Sequence, residues 1–298
     1  MRIDGIAFAS PDGLEDVTRY AYRPAESGPG RGDEELSVEA ELPVGGATPA
    51  AEVIAELREA LEGFFPGAFK LLGEGEATLA GAAGKFLAYC LDGGPGQATV
   101  VGKIVVANLG REGEPPGDWV KLAWSGSRDA GSLDAYVDPI VASFSAEADA
   151  PATVLPGHER RHAGPWALDV PAHLRGPRNF LWEDEEAELR VELSVLEAGA
   201  DEPTIELGAA ISGGEEVARE DSRLDEGERV DVRVRSDDDP HGESTLILAK
   251  RKIELGASDR GGHRWVVLSA SAPSPEGPRL TTIVDALLAS VRAEEEAR

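Results

Sequence analysis

The feature that most constrains this chain is an internal repeat with a nearly constant spacing. The matched residues are Thr99 and Thr245, Leu109 and Leu255, and Trp119 and Trp265, each pair 146 positions apart, then Leu133 and Leu280, and Ser143 and Ser290, each 147 apart. They fall in two strand patterns followed by a helix pattern. A spacing held over three successive elements indicates that one domain occurs twice in the chain.

The repeat also predicts the domain boundaries. We expect a first domain over residues 1–147, an Ala-, Pro- and Gly-rich linker over 148–164, and a second domain over 165–298. The strand pattern at Trp166–Val170 matches the one at Ile6–Phe8 with an offset of 160, so the second copy is shorter by about 13 residues. The shortening falls on the first helix, which Glu202–Ile211 replaces. A length of 298 residues suits two ordinary domains.

The charge balance excludes two classes of partner. The chain has 56 acidic and 29 basic residues and a net charge of -27, and such a surface repels nucleic acid and anionic lipid. The single cysteine, Cys90, allows no internal disulfide. No apolar run has the length of a signal peptide or of a membrane span, which needs about 20 residues. We therefore expect a cytoplasmic protein that does not insert into membranes.

The hydrophobic pattern predicts an α+β fold. Apolar and polar residues alternate over Glu35–Leu42, as in a half-buried strand, and further strands are predicted at 6–8, 17–22, 70–79, 85–91, 98–108 and 118–124. One helix is predicted to start with Thr48 as N-cap and Pro49 at its first position. A second is predicted over 133–145, with Pro139 inside it. Each domain is thus expected to be an antiparallel sheet with one or two helices packed on it.

One motif resembles a catalytic metal site. His158-Glu-Arg-Arg-His162 fits the zinc-protease pattern H-E-x-x-H, which works only on a helix, where both histidines face one Zn²⁺. Proline and glycine on both sides leave no room for that helix, so a solvated linker is the favoured interpretation. Cys90 lies in a strand pattern and is expected in the core. We therefore expect no metal, no cofactor and no enzymatic activity.

Comparison of the two copies predicts a difference between their sheets. In this alignment Phe86, Ala88 and Cys90 match Val230, Val232 and Val234, which predicts a shared core face. The alternate residues Leu87, Tyr89 and Leu91 match Asp231, Arg233 and Arg235, and Ile104 and Val106 match Lys250 and Lys252. One face is therefore predicted to be apolar in the first domain and charged in the second. Because apolar side chains are costly to leave in water, either the protein itself (linker, second domain or second protomer) or an apolar segment of another protein should cover this face.

The layout of the chain resembles a known family. The features that carry the resemblance are a strand ending in Pro11, a long helix after Thr48-Pro49, a glycine-containing strand start at Ala80–Phe86, paired long strands, and a helix ending in Ala-Ser-Phe at 142–144. The chain is similar in these respects to the DcrB-related, PsbP-like α/β/α sandwich family and its Eag effector chaperones of type VI secretion. The resemblance implies tandem sandwich domains that bind the apolar N-terminal transmembrane segments of secreted effectors, usually as dimers.

Three hypotheses follow. The first is a non-enzymatic chaperone or adaptor, monomeric or homodimeric, that binds a hydrophobic helix on the apolar sheet face of the first domain; its predicted cargo-binding residues are Leu87, Tyr89, Leu91, Val100, Ile104, Val106 and Trp119. The second is a structural or assembly protein in which the second domain covers that face and an acidic surface binds other proteins. The third is a hydrolase that uses the histidines of the linker.

Overall fold

The computed structural model describes residues 2–3, 6–24, 34–40, 48–94, 98–110, 119–146, 153–176, 178–196, 200–204, 214–236, 241–255 and 262–293. The helices formed by these residues are α1 (Ala50–Phe64), α2 (Leu133–Ser143) and α3 (Gly277–Ser290). The strands are β1 (Arg2–Ile3), β2 (Ile6–Ala7), β3 (Glu15–Asp16), β4 (Arg19–Pro24), β5 (Glu35–Ala40), β6 (Phe69–Leu79), β7 (Ala82–Leu91), β8 (Val100–Asn108), β9 (Trp119–Gly126), β10 (Ser145–Ala146), β11 (His158–Ala163), β12 (Trp166–Pro171), β13 (Leu174–Arg175), β14 (Asn179–Asp184), β15 (Leu189–Val195), β16 (Glu215–Leu224), β17 (Gly227–Arg235), β18 (Glu243–Leu255), β19 (Gly262–Pro273) and β20 (Arg292–Ala293).

The chain divides into two compact units that differ from the two halves of the sequence. Residues 19–177 form one unit, which we call the continuous unit. Residues 1–18 and 178–298 together form the other, which we call the split unit. The predicted boundaries at residues 147 and 165 both fall inside the continuous unit. Each unit therefore contains a segment that the repeat assigns to the other copy.

Each unit contains a seven-stranded and a three-stranded antiparallel sheet. In the continuous unit the strand orders are β13-β4-β5-β9-β8-β7-β6 and β10-β12-β11. In the split unit they are β3-β14-β15-β19-β18-β17-β16 and β20-β2-β1. If each strand is replaced by the equivalent strand of the other copy, the strand orders of one unit become those of the other unit. The predicted α+β class, with helices packed on antiparallel sheets, is confirmed.

The continuous unit has helices on both faces of its large sheet. Residues 101–107 of β8 are all buried, which is the pattern of a strand covered on two sides. Ile104 packs in a cluster with Val53 and Ile54 of α1, whereas its neighbour Lys103 bonds to Asp134 and Asp138 on α2. Because adjacent residues of a strand point to opposite faces, α1 and α2 lie on opposite sides of the sheet.

Two local predictions need correction. The predicted N-cap of α1 is Thr48, but the helix begins at Ala50 and Pro49 takes the N-cap position, where its carbonyl accepts from the backbone N–H of Glu52 at 2.9 Å. Residues 158–163, predicted as linker, form β11 and pair with β12 along their whole length. Most of the segment 202–211 lies outside the described residues. Within the described part of the chain, every helix is too short or too polar to cross a membrane.

A substitution at Gly84, near the start of β7, tests how closely the central strands pack. A Cβ atom added at Gly84 would lie 2.1 Å from the carbonyl oxygen of Val106 and 2.9 Å from the Cβ of Ala107. We expect Gly84→Ala to lower the free energy of unfolding by about 1–3 kcal/mol, since backbone on β8 must shift. The matched control is Gly63→Ala, because nothing lies within 4 Å of that position in α1. It should raise stability by roughly 0.5–1 kcal/mol. Urea unfolding measures both, and equal effects would contradict the packing described.

Candidate functional site

The structure brings the predicted cargo-binding residues together on one face of the large sheet. Leu87, Tyr89 and Leu91 lie on β7, Val100, Ile104 and Val106 on β8, and Trp119 on β9. Leu87 pairs with Ile104, and Leu91 pairs with Val100. Residues paired across antiparallel strands point to the same side, so these side chains form one continuous surface. We call it the predicted face.

Helix α1 covers the predicted face. Its residues Val53 and Ile54 are buried against the sheet, and Ala50, Leu57 and Leu61 pack beside them. Leu87 and Val106 are fully buried as a result, and Tyr89, Ile104 and Trp119 retain at most 7% of their exposure. The prediction of an open cargo-binding face is therefore wrong for this structure. The cover is a helix of the same unit, which was not among the coverings considered from the sequence.

The strand pairing also corrects the alignment of the two copies. Trp119 pairs with Asn108, and its counterpart Trp265 pairs with Lys252. Asn108 and Lys252 are therefore equivalent, which places β18 at an offset of 144 from β8 instead of the 146 used in the sequence alignment.

The corrected alignment also reverses which sheet face of one copy corresponds to which face of the other. Leu87 pairs with Ile104, and the residue equivalent to Ile104, Leu248, pairs with Val230. Leu87 therefore matches Val230 and not Asp231. A slip of one residue exchanges the two faces of a strand. The counterpart of the predicted face is thus largely apolar, with Val230, Val232 and Val234 buried beside Leu246; the predicted contrast between an apolar and a charged face is wrong.

One cation does lie on that counterpart face. Lys250 takes the place of Val106 and is 6% exposed. Its Nζ bonds to Glu202 at 2.8 Å, to Glu228 at 2.9 Å and to the carbonyl of Pro203 at 2.8 Å. Burial opposes the charge, but the bonds to the two carboxylates outweigh it and raise the pKa of Lys250 above its ordinary value. A cleft of about 770 Å³ adjoins it. Because the ammonium has three acceptors, this lysine is a paired cation that links β18 to Glu202, Pro203 and Glu228.

The exposed hydrophobic side chains concentrate elsewhere, at one corner of the continuous unit. Phe64 is 78% exposed, Phe65 42%, Leu71 47% and Leu72 45%. The first two end α1, and the last two lie near the start of β6, the outermost strand of the sheet. We call these four residues the apolar corner. Grouped exposed hydrophobic side chains on a folded unit commonly mark a binding site, and these four lie within residues 64–72, so this is the candidate functional site.

The geometry of β6 keeps the apolar corner exposed. The pairing with β7 shifts between Leu71 and Gly73, which makes Leu72 the extra residue of a β-bulge. A bulged residue is left out of the ladder and re-aims its side chain. Sequence reasoning missed this site, although Phe64-Phe65 and Leu71-Leu72 carry a signal. Adjacent residues of a regular strand point to opposite faces, so Leu71 and Leu72 cannot both face the core, and Phe64-Phe65 stands directly before Pro66 at the end of the helix pattern.

Ion pairs border the apolar corner, and Arg58 is shared between Glu74 and Glu62. Lys70 pairs with Asp92 at 3.1 Å, and Arg58 of α1 pairs with Glu74 at 3.3 Å. The hydrogen bond with Lys70 lowers the pKa of Asp92, and the same bond raises the pKa of Lys70. The apolar surface therefore has a polar rim with an excess of carboxylates over cations, and a polar rim is usual around binding patches on protein surfaces.

The H-E-x-x-H segment is not a metal site. His158 and His162 lie on β11, a strand, where four residues span roughly 13 Å at 3.3 Å each. That separation is too long for both imidazoles to reach one zinc ion, which binds nitrogen at about 2.0–2.1 Å. Among the described residues, no group of three or more His, Cys, Asp or Glu side chains is placed to hold a metal.

A polar group centred on Glu34 lies beside the inner strands β5 and β9 of the continuous unit's large sheet. The carboxylate of Glu34 accepts hydrogen bonds from Trp124 Nε1 at 3.1 Å and Tyr136 Oη at 2.7 Å, and its other oxygen lies 2.9 Å from His173 Nε2. Burial would raise the pKa of Glu34, but the bonds from His173 and Tyr136 outweigh it and lower the pKa below its ordinary value. Burial, together with the bond to Glu34, raises the pKa of Tyr136 well above its usual range. The group joins β5, β9, α2 and the segment before β13, which is a structural role.

Comparison with solved structures gives neighbours of low similarity. The apo immunity protein TplEi of the type VI secretion system from Pseudomonas aeruginosa is 10% identical, with 97% of this chain and 94% of that chain covered and a TM-score of 0.38. The Tle4–Tli4 complex contains a chain that is 11% identical, with 97% and 95% covered and a TM-score of 0.41. A Pseudomonas aeruginosa protein of unknown function is 21% identical, with 40% and 74% covered and a TM-score of 0.30. At TM-scores below 0.5 these likenesses carry no conclusion about fold or function.

No protein-family model matches the chain, and no curated protein matches it.

Two leucines test the division between the buried face and the exposed corner. Leu87 is fully buried beneath α1, whereas Leu72 is 45% exposed. We expect Leu87→Ala to lower the free energy of unfolding by about 2–5 kcal/mol, since it leaves a cavity. Leu72→Ala should change it by less than about 0.5 kcal/mol, as at other surface positions. Urea unfolding of both variants measures this, and a neutral Leu87→Ala would mean that the predicted face is open after all.

The pH dependence of stability tests the contribution of Glu34 to this polar group. Its pKa is lower in the folded chain than the ordinary value of 4.5, so its stabilisation is complete above that pH and is lost as the pH falls through the folded value. We expect Glu34→Gln to lower the free energy of unfolding by about 1–3 kcal/mol at pH 7, and the deficit relative to wild type to shrink below pH 4.5. Urea midpoints at several pH values measure this. Glu59→Gln, at an exposed position of α1, is the control and should show no such pH-dependent deficit.

Proposed function

We propose that this chain is a non-catalytic adaptor that binds an apolar helix of a partner protein at the apolar corner. The supporting observation is the concentration of exposed hydrophobic side chains. Of the five large hydrophobic residues that are exposed in the described part of the chain, four lie within residues 64–72. Burial of such side chains against a partner is favourable by about 25 cal/mol for each Å² removed from water.

The local geometry favours a helix over an added strand as the occupant. An extended segment that joins the edge of a sheet depends on a continuous row of main-chain hydrogen bonds. The bulge at Leu72 interrupts that row near the start of β6, and Glu74 and Glu76 place charge on the strand beyond it. Charges and bulges are the usual features that keep an edge strand from pairing with another chain. Side-chain packing on Phe64, Leu71 and Leu72 remains, and an apolar helix suits it.

The charge of the chain supports a protein partner over a membrane or a nucleic acid. A net charge of -27 repels anionic lipid and phosphate backbones. The ion pairs around the apolar corner leave its rim with a small negative charge. An uncharged apolar helix meets no electrostatic penalty there.

In its most specific form, the proposal is the function implied by the family resemblance described above. The chain would act in the cytoplasm as a chaperone that shields the hydrophobic, transmembrane-like segment of a secreted effector until export, without a cofactor. The binding surface would then be the apolar corner, because α1 already occupies the predicted face.

The test uses the tagged full-length chain purified from its native cells with whatever binds it. A synthetic peptide of the apolar segment of any co-purified partner is then titrated against the purified protein by fluorescence anisotropy. We expect the Leu71→Asp/Leu72→Asp variant to raise the Kd for this peptide at least tenfold, since a charge must be desolvated in each position.

Val217→Asp is the matched control for this experiment. Val217 is the extra residue of a bulge on β16, the outer strand of the other sheet, and is 38% exposed. The control should bind the peptide as the wild type does. Unchanged binding by the Leu71→Asp/Leu72→Asp variant, or an equal loss in the control, would reject the apolar corner as the site.

A further inference from the structure

Each unit contains strands that the repeat assigns to the other copy. The segment 1–18 carries β1, β2 and β3, and belongs to the split unit with residues 178–298. Its counterpart, the segment 158–177, carries β11, β12 and β13, and belongs to the continuous unit. In a chain of two independent copies, each of these segments would complete its own half. We call residues 1–18 and 158–177 the first segments of the two copies. The two copies have therefore exchanged their first segments.

The exchanged segments dock through matching hydrogen bonds. The backbone N–H of Ala9 donates to Ser290 Oγ at 2.9 Å, and the backbone N–H of Asp169 donates to Ser143 Oγ, also at 2.9 Å. Ala9 and Asp169 are 160 positions apart, as are the matched strands before them, and the two serines are 147 apart. The same bond thus occurs twice, each time between a first segment and the helix end of the other copy.

The serines are held in place in the same way at both sites. Ser290 Oγ donates to the carbonyl of Leu287 at 2.7 Å, and Ser143 Oγ donates to the carbonyl of Ile140 at 2.7 Å. Each hydroxyl is therefore oriented by its own helix end and presents a lone pair to the incoming N–H. This prearranged acceptor is a recognition feature for the first segment.

Apolar anchors add to the docking in the split unit. Ile6 is fully buried and Phe8 is 5% exposed. The ring of Phe8 lies 4.8 Å from that of Phe180 and 6.2 Å from that of Trp182, both edge to face. Such contacts stabilise beyond the area they bury. Removing the segment would expose Phe180 and Trp182, so the split unit depends on it.

We propose that this chain is a single-polypeptide form of a strand-exchanged dimer, in which each repeat completes its fold by accepting the first strands of the other. The partner that fits each docking site is a second copy of the same repeat, here supplied in the same chain. The connection between the copies can consequently be cut without separating them.

An engineered disulfide tests the exchange directly. In a Cys90→Ser background, Ala9→Cys/Ser290→Cys places two thiols at a site where backbone and side chain are in hydrogen-bond contact, within the short Cα distances that a disulfide needs. We expect this variant to form a disulfide within one chain, seen by intact mass and by mobility on a non-reducing gel. The comparison variant, Ala9→Cys/Ser143→Cys, joins the positions that would meet without exchange and should stay reduced. Cross-linking in the comparison variant, or cross-links between two chains, would overturn the proposal.

Cleavage of the connection tests the mutual dependence. A specific protease site inserted within residues 147–152 lies between the helix of the first copy and the first segment of the second. After complete cleavage we expect both fragments to co-elute from gel filtration at the mass of the uncut chain. Phe8→Ala in the cleaved protein should weaken this association at least tenfold, because it removes the anchor. Fragments that separate freely without denaturant, or a Phe8→Ala variant that associates as tightly as the parent, would contradict the proposal.

Discussion

The hydrogen bond between a first segment and a serine at a helix end organises both units. It ties Asp169 of β12, and Ala9 just after β2, to the last residue of α2 or α3, and so holds each small sheet beside the end of a helix. The large sheets depend on the same segments, since β3 pairs with β14 and β13 pairs with β4. An exposed outer strand is open to association with other chains. The exchanged strands β13 and β3 cover β4 and β14, so the outer strands of the large sheets are β13 and β6 in the continuous unit and β3 and β16 in the split unit.

Within each unit, the helix after the sheet is fixed by a buried cation, but the cation comes from a different strand in each copy. Lys103 on β8 bonds to Asp138 of α2 at 2.6 Å and lies over the ring of Phe86. In the split unit the equivalent acid, Asp285 of α3, pairs with Arg229 on β17. By the strand pairing, Arg229 occupies the position of Phe86, and Ile247 that of Lys103. The cation and the apolar residue have thus exchanged positions between the two adjacent strands, whereas the aspartate on the helix is the same in both copies. Each helix–sheet contact therefore still contains one buried cation paired with an acid.

The elements could be predicted from the sequence because their signals are local. The apolar stripes of α1 and α2 and the alternation over β5 depend only on residues near in sequence. The face assignments required an alignment across loops of unequal length, and an error of one residue on β7 inverted them. The exchange has no local signal at all. Ile6–Phe8 and Trp166–Val170 would read the same whether each docked in its own copy or in the other, because the receiving residues Ser143 and Ser290 are themselves repeated.

The error in predicting the binding site also has a physical explanation. An amphipathic helix and an apolar sheet face are each incomplete alone, and the sequence shows both: the stripe of Val53, Leu57 and Leu61, and the face of Leu87, Ile104 and Val106. The simplest way to bury both is to pack one on the other, as the structure does. After that pairing is made, the hydrophobic residues without a partner inside the unit are those at its margin. Phe64 and Phe65 lie beyond the last turn that reaches the sheet, and Leu72 is pushed out by the bulge. The search for a partner-binding surface therefore belongs at the margin of the helix–sheet contact and not at its centre.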